Sequence, residues 1–408
     1  MKRVAIIGAG LAGPAMALAL IKETNIRDIV LYEIRDFAST MGGSINLSPN
    51  GLRILDYLGI LKELEKRTYV IKTVTVTSET GSILGFRPLG DPERYGYGAM
   101  RIKRADLQKL LLDGLEKEGI KVMYSKSIKE IDESGDGVKM TFVDGSIDNV
   151  DILIGADGIH SSVRKICKIN ESVPKYTGLV GIYGSIKKDV LKSKDLSLIE
   201  NVDMVSMLGT TGGMTGIAYS APDKSELYAF TSMPQSEEPD RPSFIVDDKF
   251  KGRLRQKYQN WVEPVPTIIE NLNAVTGYAV YKLVPFPEEW ISSTGKVILI
   301  GDAAHAMSPH AGQGMGMGLE DSIVLAKVLA KYEPTRDNIV EKYQGLCKPR
   351  VLKFYHEATR NSGLRANKSG MEALLFPMRR WFNLRKDSWN YYFYGNPDWA
   401  YDVTKLDV

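Results

Sequence analysis

The chain has 408 residues, with 53 Lys+Arg against 50 Asp+Glu and a formal net charge of +3. That length exceeds what one core ordinarily holds, so two closely joined domains are expected, and the interspersed, nearly balanced charge carries no nucleic-acid footprint. Only two cysteines are present, Cys167 and Cys347; they exclude a disulfide framework or a cysteine-rich zinc site and point to a reducing, cytoplasmic setting.

Lys2-Arg3 followed by the apolar and small residues Val4 to Ile21 has the hydropathy of a signal peptide or a spanning helix. Its glycines and Pro14 sit instead where a nucleotide-binding turn needs them. Val4 to Ile7 reads as a buried strand, Gly8-Ala9-Gly10-Leu11-Ala12-Gly13 as the turn and Pro14 to Glu23 as the helix. Gly8 makes the tight turn, Gly10 admits a pyrophosphate against backbone N–H groups, and Gly13 lets helix and strand pack closely. Asp28 to Tyr32 is the next strand. It ends at Glu33, about 20 residues beyond the turn, where an acid meets a ribose 2′-hydroxyl. Such an acid disfavours a 2′-phosphate, so the bound dinucleotide is expected to be FAD or NAD rather than NADP.

Thr40 to Asn50 is a small-residue loop containing Gly43, and it leads into an amphipathic helix from Gly51 to Lys66. Tyr69 to Glu79 and Ser82 to Arg87 alternate apolar with polar residues, as antiparallel strands with one wet face do. Met100 to Leu107 opens a helix running to about Glu118, and its basic start, including Arg104, opposes the helix dipole unless an anion is near. Lys121 to Tyr124, Ser127 to Asp132 and Val138 to Phe142 read as a three-stranded meander. Asp151 to Gly155 followed by Ala156-Asp157-Gly158 repeats the opening plan of apolar strand, acid and glycine.

From Tyr176 to about Ala279 short alternating strands separated by glycine or polar turns read as a second, largely antiparallel domain. Tyr183, Tyr219 and Phe230 on these strands are candidates to line a substrate pocket. Val297 to Ile300 is another buried strand. Gly301-Asp302 turns at its end, and the loop Pro309-His310-Ala311-Gly312-Gln313-Gly314-Met315-Gly316 opens a helix ending near Lys331. The free N–H groups at Gly312 to Gly316 suit an anion, and the glycines let a flat ring approach closely. His310, between Pro309 and the glycines, is the candidate catalytic polar group. Beyond Leu329 come amphipathic helices and an aromatic tail, Trp389 to Tyr394, expected to pack on the body of the protein, with a dimer face as the alternative. The 4 histidines lack metal-ligand spacing, and no G-x-S-x-G elbow supports hydrolase chemistry.

Gly8-x-Gly10-x-x-Gly13 with Glu33, Arg104-Ala105-Asp106-Leu107, Asp157-Gly158, and Gly301-Asp302 with Pro309 and Gly312-Gln313-Gly314 occur together in this order. In that joint pattern the chain resembles the single-component FAD-dependent aromatic hydroxylases, such as p-hydroxybenzoate, salicylate and urate hydroxylases and the tetracycline-inactivating monooxygenases. The resemblance implies an α/β fold: a Rossmann-type FAD-binding domain (1–70, 100–178 and 280–332), an interleaved, mostly antiparallel β-sheet substrate domain (71–99 and 179–279) and a C-terminal helical segment (333–408). It implies that Gly8, Gly10, Leu11, Ala12 and Gly13 bind FAD and that Glu33 holds its adenosine ribose. Arg104 is implied at the ribityl and phosphate region, Gly43 beside the flavin, and Asp157 at FAD with transient NAD(P)H contacts. Asp302 is implied at the ribityl chain, and Pro309, Gly312, Gly314, Met315 and Gly316 along the isoalloxazine.

Two departures stand out: Gly316 occupies a position where the family often has asparagine, and the arginine that often follows the ribose-binding acid is displaced to Arg35. The implied function is a monooxygenase using NADPH or NADH that inserts one oxygen atom from O2, through a flavin C4a-hydroperoxide, into a hydrophobic aromatic or polyketide-like molecule. An oxidase or reductase on the same scaffold is the alternative. Expected partners are the small-molecule substrate, O2 and NAD(P)H, with no nucleic acid and no membrane span, in a monomer or homodimer.

Overall fold

The computed structural model describes residues 2–38, 43–191, 198–200, 202–209, 213–363, 365 and 370–408; residues 40–42 of the expected small-residue loop lie outside them. The short apolar runs become parallel strands: Arg3–Ile7 (β1), Asp28–Tyr32 (β2), Val122–Met123 (β3), Ile152–Gly155 (β4) and Val297–Leu299 (β5). Their spatial order is β5-β4-β1-β2-β3, with every neighbouring pair parallel. The order reverses between β1 and β4, which opens a crevice outside their carboxyl ends.

Helices Ala12–Glu23 (α1), Arg104–Lys117 (α2) and Gly314–Lys331 (α3) cover this sheet. The close approach of α3 to α1 depends on small residues: a Cβ on Gly318 would lie 3.5 Å from Ala12 and from Gly301. The apolar N-terminal run forms β1 and α1, where Val4, Ile6, Met16 and Leu20 are fully buried. No helix among the described residues is long and apolar enough to cross a membrane.

Several expectations change. The stretch read as the opening of α2 is a strand, Ala99–Lys103, and the helix begins at Arg104; Ser44–Leu47 of the expected loop is its partner strand, and the run from Tyr69 divides into Tyr69–Ile71 and Thr73–Ser78 in different sheets. Val122–Met123 joins the parallel sheet, because Leu31 and Tyr32 of β2 need a partner on their open side; the meander is Ile128–Asp132, Val138–Phe142 and Ile147–Val150. The expected helix from Gly51 to Lys66 is two, Pro49–Tyr57 and Leu61–Glu65. The break falls at Gly59, whose φ of 78° is left-handed.

The second layer is an eight-stranded sheet in the order Ser243–Ile245, Asn273–Val284, Val173–Lys187, Glu226–Pro234, Met214–Tyr219, Met204–Leu208, Thr73–Ser78, Ile83–Pro88. Its pairings are antiparallel except that of 204–208 with 73–78. The two-residue period divides its side chains between two faces. Val180, Ile182, Ile217, Tyr219, Leu227 and Ala229 build a separate core against helices Asp248–Tyr258 and Val265–Asn271, while Tyr183, Tyr228, Phe230 and Tyr278 turn toward the dinucleotide-type sheet. A small antiparallel sheet, Ser44–Leu47, Ala99–Lys103 and Tyr69–Ile71, joins the layers.

Two C-terminal helices, Gly345–Gly363 (α4) and Gly370–Tyr394 (α5), follow, and α5 runs along the edge strand Ile83–Pro88. The aromatic tail is the last part of α5. Only part of it packs as expected: Tyr391 lies 5.6 Å from the ring of Trp399, whereas Trp389, Tyr392, Phe393 and Tyr394 are exposed.

Candidate functional site

The carboxyl ends of β1, β4 and β5 open into one cavity of about 850 Å3, which continues to the aromatic face of the large sheet. A ligand-sized volume at a topological switch point is the ordinary place for a cofactor in an open α/β sheet.

At the dinucleotide end the chain is held tightly. Gly8 has φ 106°, and a Cβ there would meet the Ala156 carbonyl oxygen at 2.5 Å; its N–H donates to Tyr32 O at 2.7 Å. Glu33 is 4 % exposed. Oε1 accepts from the Arg35 N–H at 3.1 Å and from the Arg35 guanidinium at 3.4 Å, whereas Oε2 accepts from the Ala9 N–H at 2.9 Å and keeps a lone pair for a ligand. The Gln108 amide donates to Ala9 O at 2.5 Å and fixes the turn from the α2 side.

Arg104 extends from the start of α2 over this turn: a Cβ on Gly10 would lie 3.7 Å from its guanidinium, and its backbone N–H donates to Gly43 O at 2.9 Å. At the end of β4 the Asp157 carboxylate caps the helix Ser162–Ile166 through one oxygen, which accepts from Ser162 N at 2.7 Å and Val163 N at 3.2 Å. The other oxygen is buried without a partner, and burial pushes this carboxyl above the usual range.

Asp302 is open to the cavity yet lies deep in the protein. That enclosure raises its carboxyl, with His305 and Arg104 opposing the shift. The turn presenting it is braced from behind by Asp321, which accepts from Gly301 N at 2.8 Å and contacts His305 Nε2 at 2.7 Å. Arg164 adds a second brace, donating to Ala303 O at 2.7 Å and Ile159 O at 2.6 Å.

At the other end the walls are aromatic. Phe230 stands beside Tyr183 on the neighbouring strand, the ring centres of Tyr183 and Tyr278 lie 5.5 Å apart, and the Tyr228 hydroxyl oxygen accepts from the Ser44 N–H at 2.9 Å. Glycines make room for these rings. A Cβ on Gly181 would strike Tyr278 at 2.2 Å, and one on Gly216 would strike Phe230 at 2.2 Å. His310 lines the cavity with Nδ1 2.7 Å from Ser362 Oγ. Burial, reinforced by Arg365, pushes it down to about 3, so its imidazole is neutral across the physiological range.

Of the site residues expected from sequence, Gly8, Gly10, Leu11, Ala12, Glu33, Gly43, Arg104, Asp157, Asp302, Pro309, His310, Gly312, Gly314, Met315, Tyr183 and Phe230 all line this cavity. Gly13 does not. It packs α1 on the turn, where a Cβ would fall 2.0 Å from Gly8 O. Gly316 faces the buried Asn50 and Gln313 amides instead of the cavity. Tyr219 is displaced from the expected pocket: with Ile217 it occupies the opposite face of its strand from Met214, 1 % exposed in the second core. Sequence reasoning missed Arg101, Tyr228, Tyr278 and Arg365. The strand glycines at 181 and 216 were the available signal for the aromatic wall.

Residues 1–358 match the family described as FAD binding domain. The chain belongs to the FAD-dependent aromatic hydroxylases. This flavoprotein monooxygenase is 29 % identical over 380 residues to 6-hydroxynicotinate 3-monooxygenase of Bordetella bronchiseptica, covering 90 % of this chain and 93 % of that one. It is 30 % identical over 366 residues to 3-amino-4-hydroxybenzoate 2-monooxygenase PtmB3 of Streptomyces platensis, covering 88 % and 87 %. Among solved structures, HpxO of Klebsiella pneumoniae, complexed with FAD and uric acid, superposes with a TM-score of 0.80 at 23 % identity over 95 % of each chain, which shows the shared fold.

The cavity residues of this monooxygenase fit its cofactor, FAD. The side-chain-free positions 8 and 10, the spare acceptor capacity of Glu33, the unpartnered Asp157 oxygen, the cavity-facing Asp302 and the Arg104 guanidinium over the turn are a donor and acceptor set for ribose, ribityl hydroxyls and a diphosphate.

Proposed function

We propose that this protein uses NADPH or NADH to insert one oxygen atom from O2 into an electron-rich, ring-bearing small molecule held against the aromatic wall of its cavity. The observation that carries the reading is continuity: one cavity joins the dinucleotide turn at Gly8 and Gly10 to the rings of Tyr183, Tyr228, Phe230 and Tyr278. Bound FAD supplies the redox chemistry that couples NAD(P)H oxidation to O2.

The chain's own residues then have distinct tasks. Glu33 would accept from the adenosine ribose, Arg104 would neutralise the diphosphate, and Asp302 would accept from the ribityl chain. The N-terminus of α3 at Gly314 and Met315 would put backbone N–H groups beside the flavin edge that gains negative charge on reduction. Tyr183, Phe230 and their neighbours would exclude water and orient the ring. His310, neutral and tied through Nδ1 to Ser362, would offer Nε2 as a hydrogen-bond group without carrying charge.

The test is a turnover experiment on the purified, FAD-loaded protein with a panel of phenols and hydroxylated heteroaromatics. The expected result is substrate-stimulated NAD(P)H oxidation and a product carrying label from 18O2. Stoichiometric hydrogen peroxide with no labelled product for any compound that accelerates NAD(P)H oxidation would instead assign an oxidase.

A further inference from the structure

The aromatic end of the cavity holds two guanidinium groups that have no counter-ion among the described residues. Arg101 is 4 % exposed. Its guanidinium is centred 4.4 Å from the ring of Tyr228 and 4.7 Å from that of Phe230. One nitrogen donates to Asn46 Oδ1 at 3.1 Å, and Nε is buried with no partner. Arg365, which follows α4, reaches the same cavity. It donates to Asn361 O at 2.7 Å, and its Nε too is buried and unpaired. Neither forms an ion pair among the described residues. The carboxylates that line the cavity, Glu33, Asp157 and Asp302, face the dinucleotide turn and the ends of β4 and β5.

A buried guanidinium without a counter-ion is expensive, and ring faces offset only part of that cost. The tyrosines beside Arg101 cannot supply the charge: burial pushes the Tyr278 phenol up to about 12 and Tyr228 further in the same direction. A ligand must therefore bring it. We propose that the ring substrate carries a carboxylate, and that Arg101 and Arg365 clamp this anion in the aromatic end of the cavity. Arg is suited to the task because its planar fork matches a carboxylate in a bidentate pair.

The surroundings of Arg365 are also basic. Arg87 on the edge strand Ile83–Pro88 and Arg380 on α5 both act on it electrostatically, with Asp387 of α5 offsetting Arg380. Such a field draws anions inward.

This inference rests on the monooxygenase reading and names its substrate class. The test uses FAD-loaded protein and matched probes, 4-hydroxybenzoate against 4-hydroxybenzamide and 6-hydroxynicotinate against 6-hydroxynicotinamide, with binding read from flavin fluorescence. At least one acid should bind about tenfold or more tighter than its amide. In protein that takes up FAD, Arg101→Gln and Arg365→Gln should each bring the ratio of acid to amide affinity to within about twofold of one, and Arg101→Lys should restore part of it. The wild-type comparison does not depend on the variants folding.

Acids and amides binding alike, or no acid binding at about 1 mM, would overturn the proposal. So would variants that raise the KM for NADPH with acid affinity unchanged, which would give the guanidiniums to the pyridine nucleotide. Protein that takes up no FAD would defeat the monooxygenase reading itself, an outcome separate from loss of acid preference in FAD-loaded protein.

Discussion

His305 Nε2 lies 2.7 Å from Asp321 Oδ2, both residues are essentially inaccessible, and the same oxygen accepts the Gly301 N–H at 2.8 Å. Burial acts to lower the imidazole, but the Asp321 charge and hydrogen bond outweigh it, so the folded-state value lies above the ordinary one. A raised value means that the folded state holds the proton more tightly. The stabilisation is therefore complete below the unfolded value of about 6.5 and is lost as pH rises through the folded value. Thermal unfolding of the wild type should show a Tm that falls over that range, and His305→Gln should flatten the dependence. Asp321→Asn should cost about 3 kcal/mol and weaken FAD binding by loosening the Asp302 turn. A pH–Tm curve identical in wild type and His305→Gln would remove this role.

Gly8, Gly10 and Gly13 should respond differently to alanine although they share one turn. At Gly8 the left-handed φ and a contact of 2.5 Å, and at Gly13 a contact of 2.0 Å with backbone, leave a methyl no space. Both variants should lose about 2 kcal/mol or more of stability. At Gly10 the nearest atom is the mobile Arg104 guanidinium at 3.7 Å. Gly10→Ala should therefore keep the wild-type Tm in the FAD-free protein and lose FAD affinity through the methyl pointing at the ligand. Chemical denaturation beside FAD titration separates the two effects.

Arg104→Met should raise the Kd for FAD by about tenfold to a hundredfold, the worth of one charge-assisted hydrogen bond. Its slope with salt should also fall, since the lost contact is ionic. Glu33→Gln should weaken FAD while sparing a flavin that lacks the adenosine half. Equal losses for FAD and riboflavin would place Glu33 away from the ribose.

His310 gives a prediction about pH. Its folded value of about 3 keeps it neutral, so kcat should carry no ionisation near 6.5 that His310→Gln removes. Stability has the opposite sign to His305: holding this imidazole neutral becomes unfavourable as pH falls below about 6.5, because only the unfolded chain takes up the proton there. His310→Gln should thus be relatively more stable at pH 5 than at pH 8 by comparison with the wild type, which paired urea melts would measure.

Much of the dinucleotide half is legible in the chain because its signals are local. The turn at Gly8, the acid at Glu33, the acids after β4 and β5 and the glycine loop before α3 each follow a strand by a fixed few residues, so backbone geometry alone sends them to one sheet edge. The edge strand Val122–Met123 was misplaced because two residues carry too little periodicity to say which sheet they extend. Tyr219 went astray for a different reason: alternation shows that a strand has two faces but not which of them meets a cofactor.

The sequence by itself therefore determined a parallel nucleotide-binding sheet, its cofactor edge and an attached antiparallel layer, since each depends on contacts between near neighbours along the chain. Tertiary structure alone decided the substrate end. Arg101 lies on a small linking sheet, Tyr228 and Tyr278 on separate strands of the large one, and Arg365 beyond α4. Only packing between layers brings these charges and rings to one cavity, and no spacing within the chain encodes that distance.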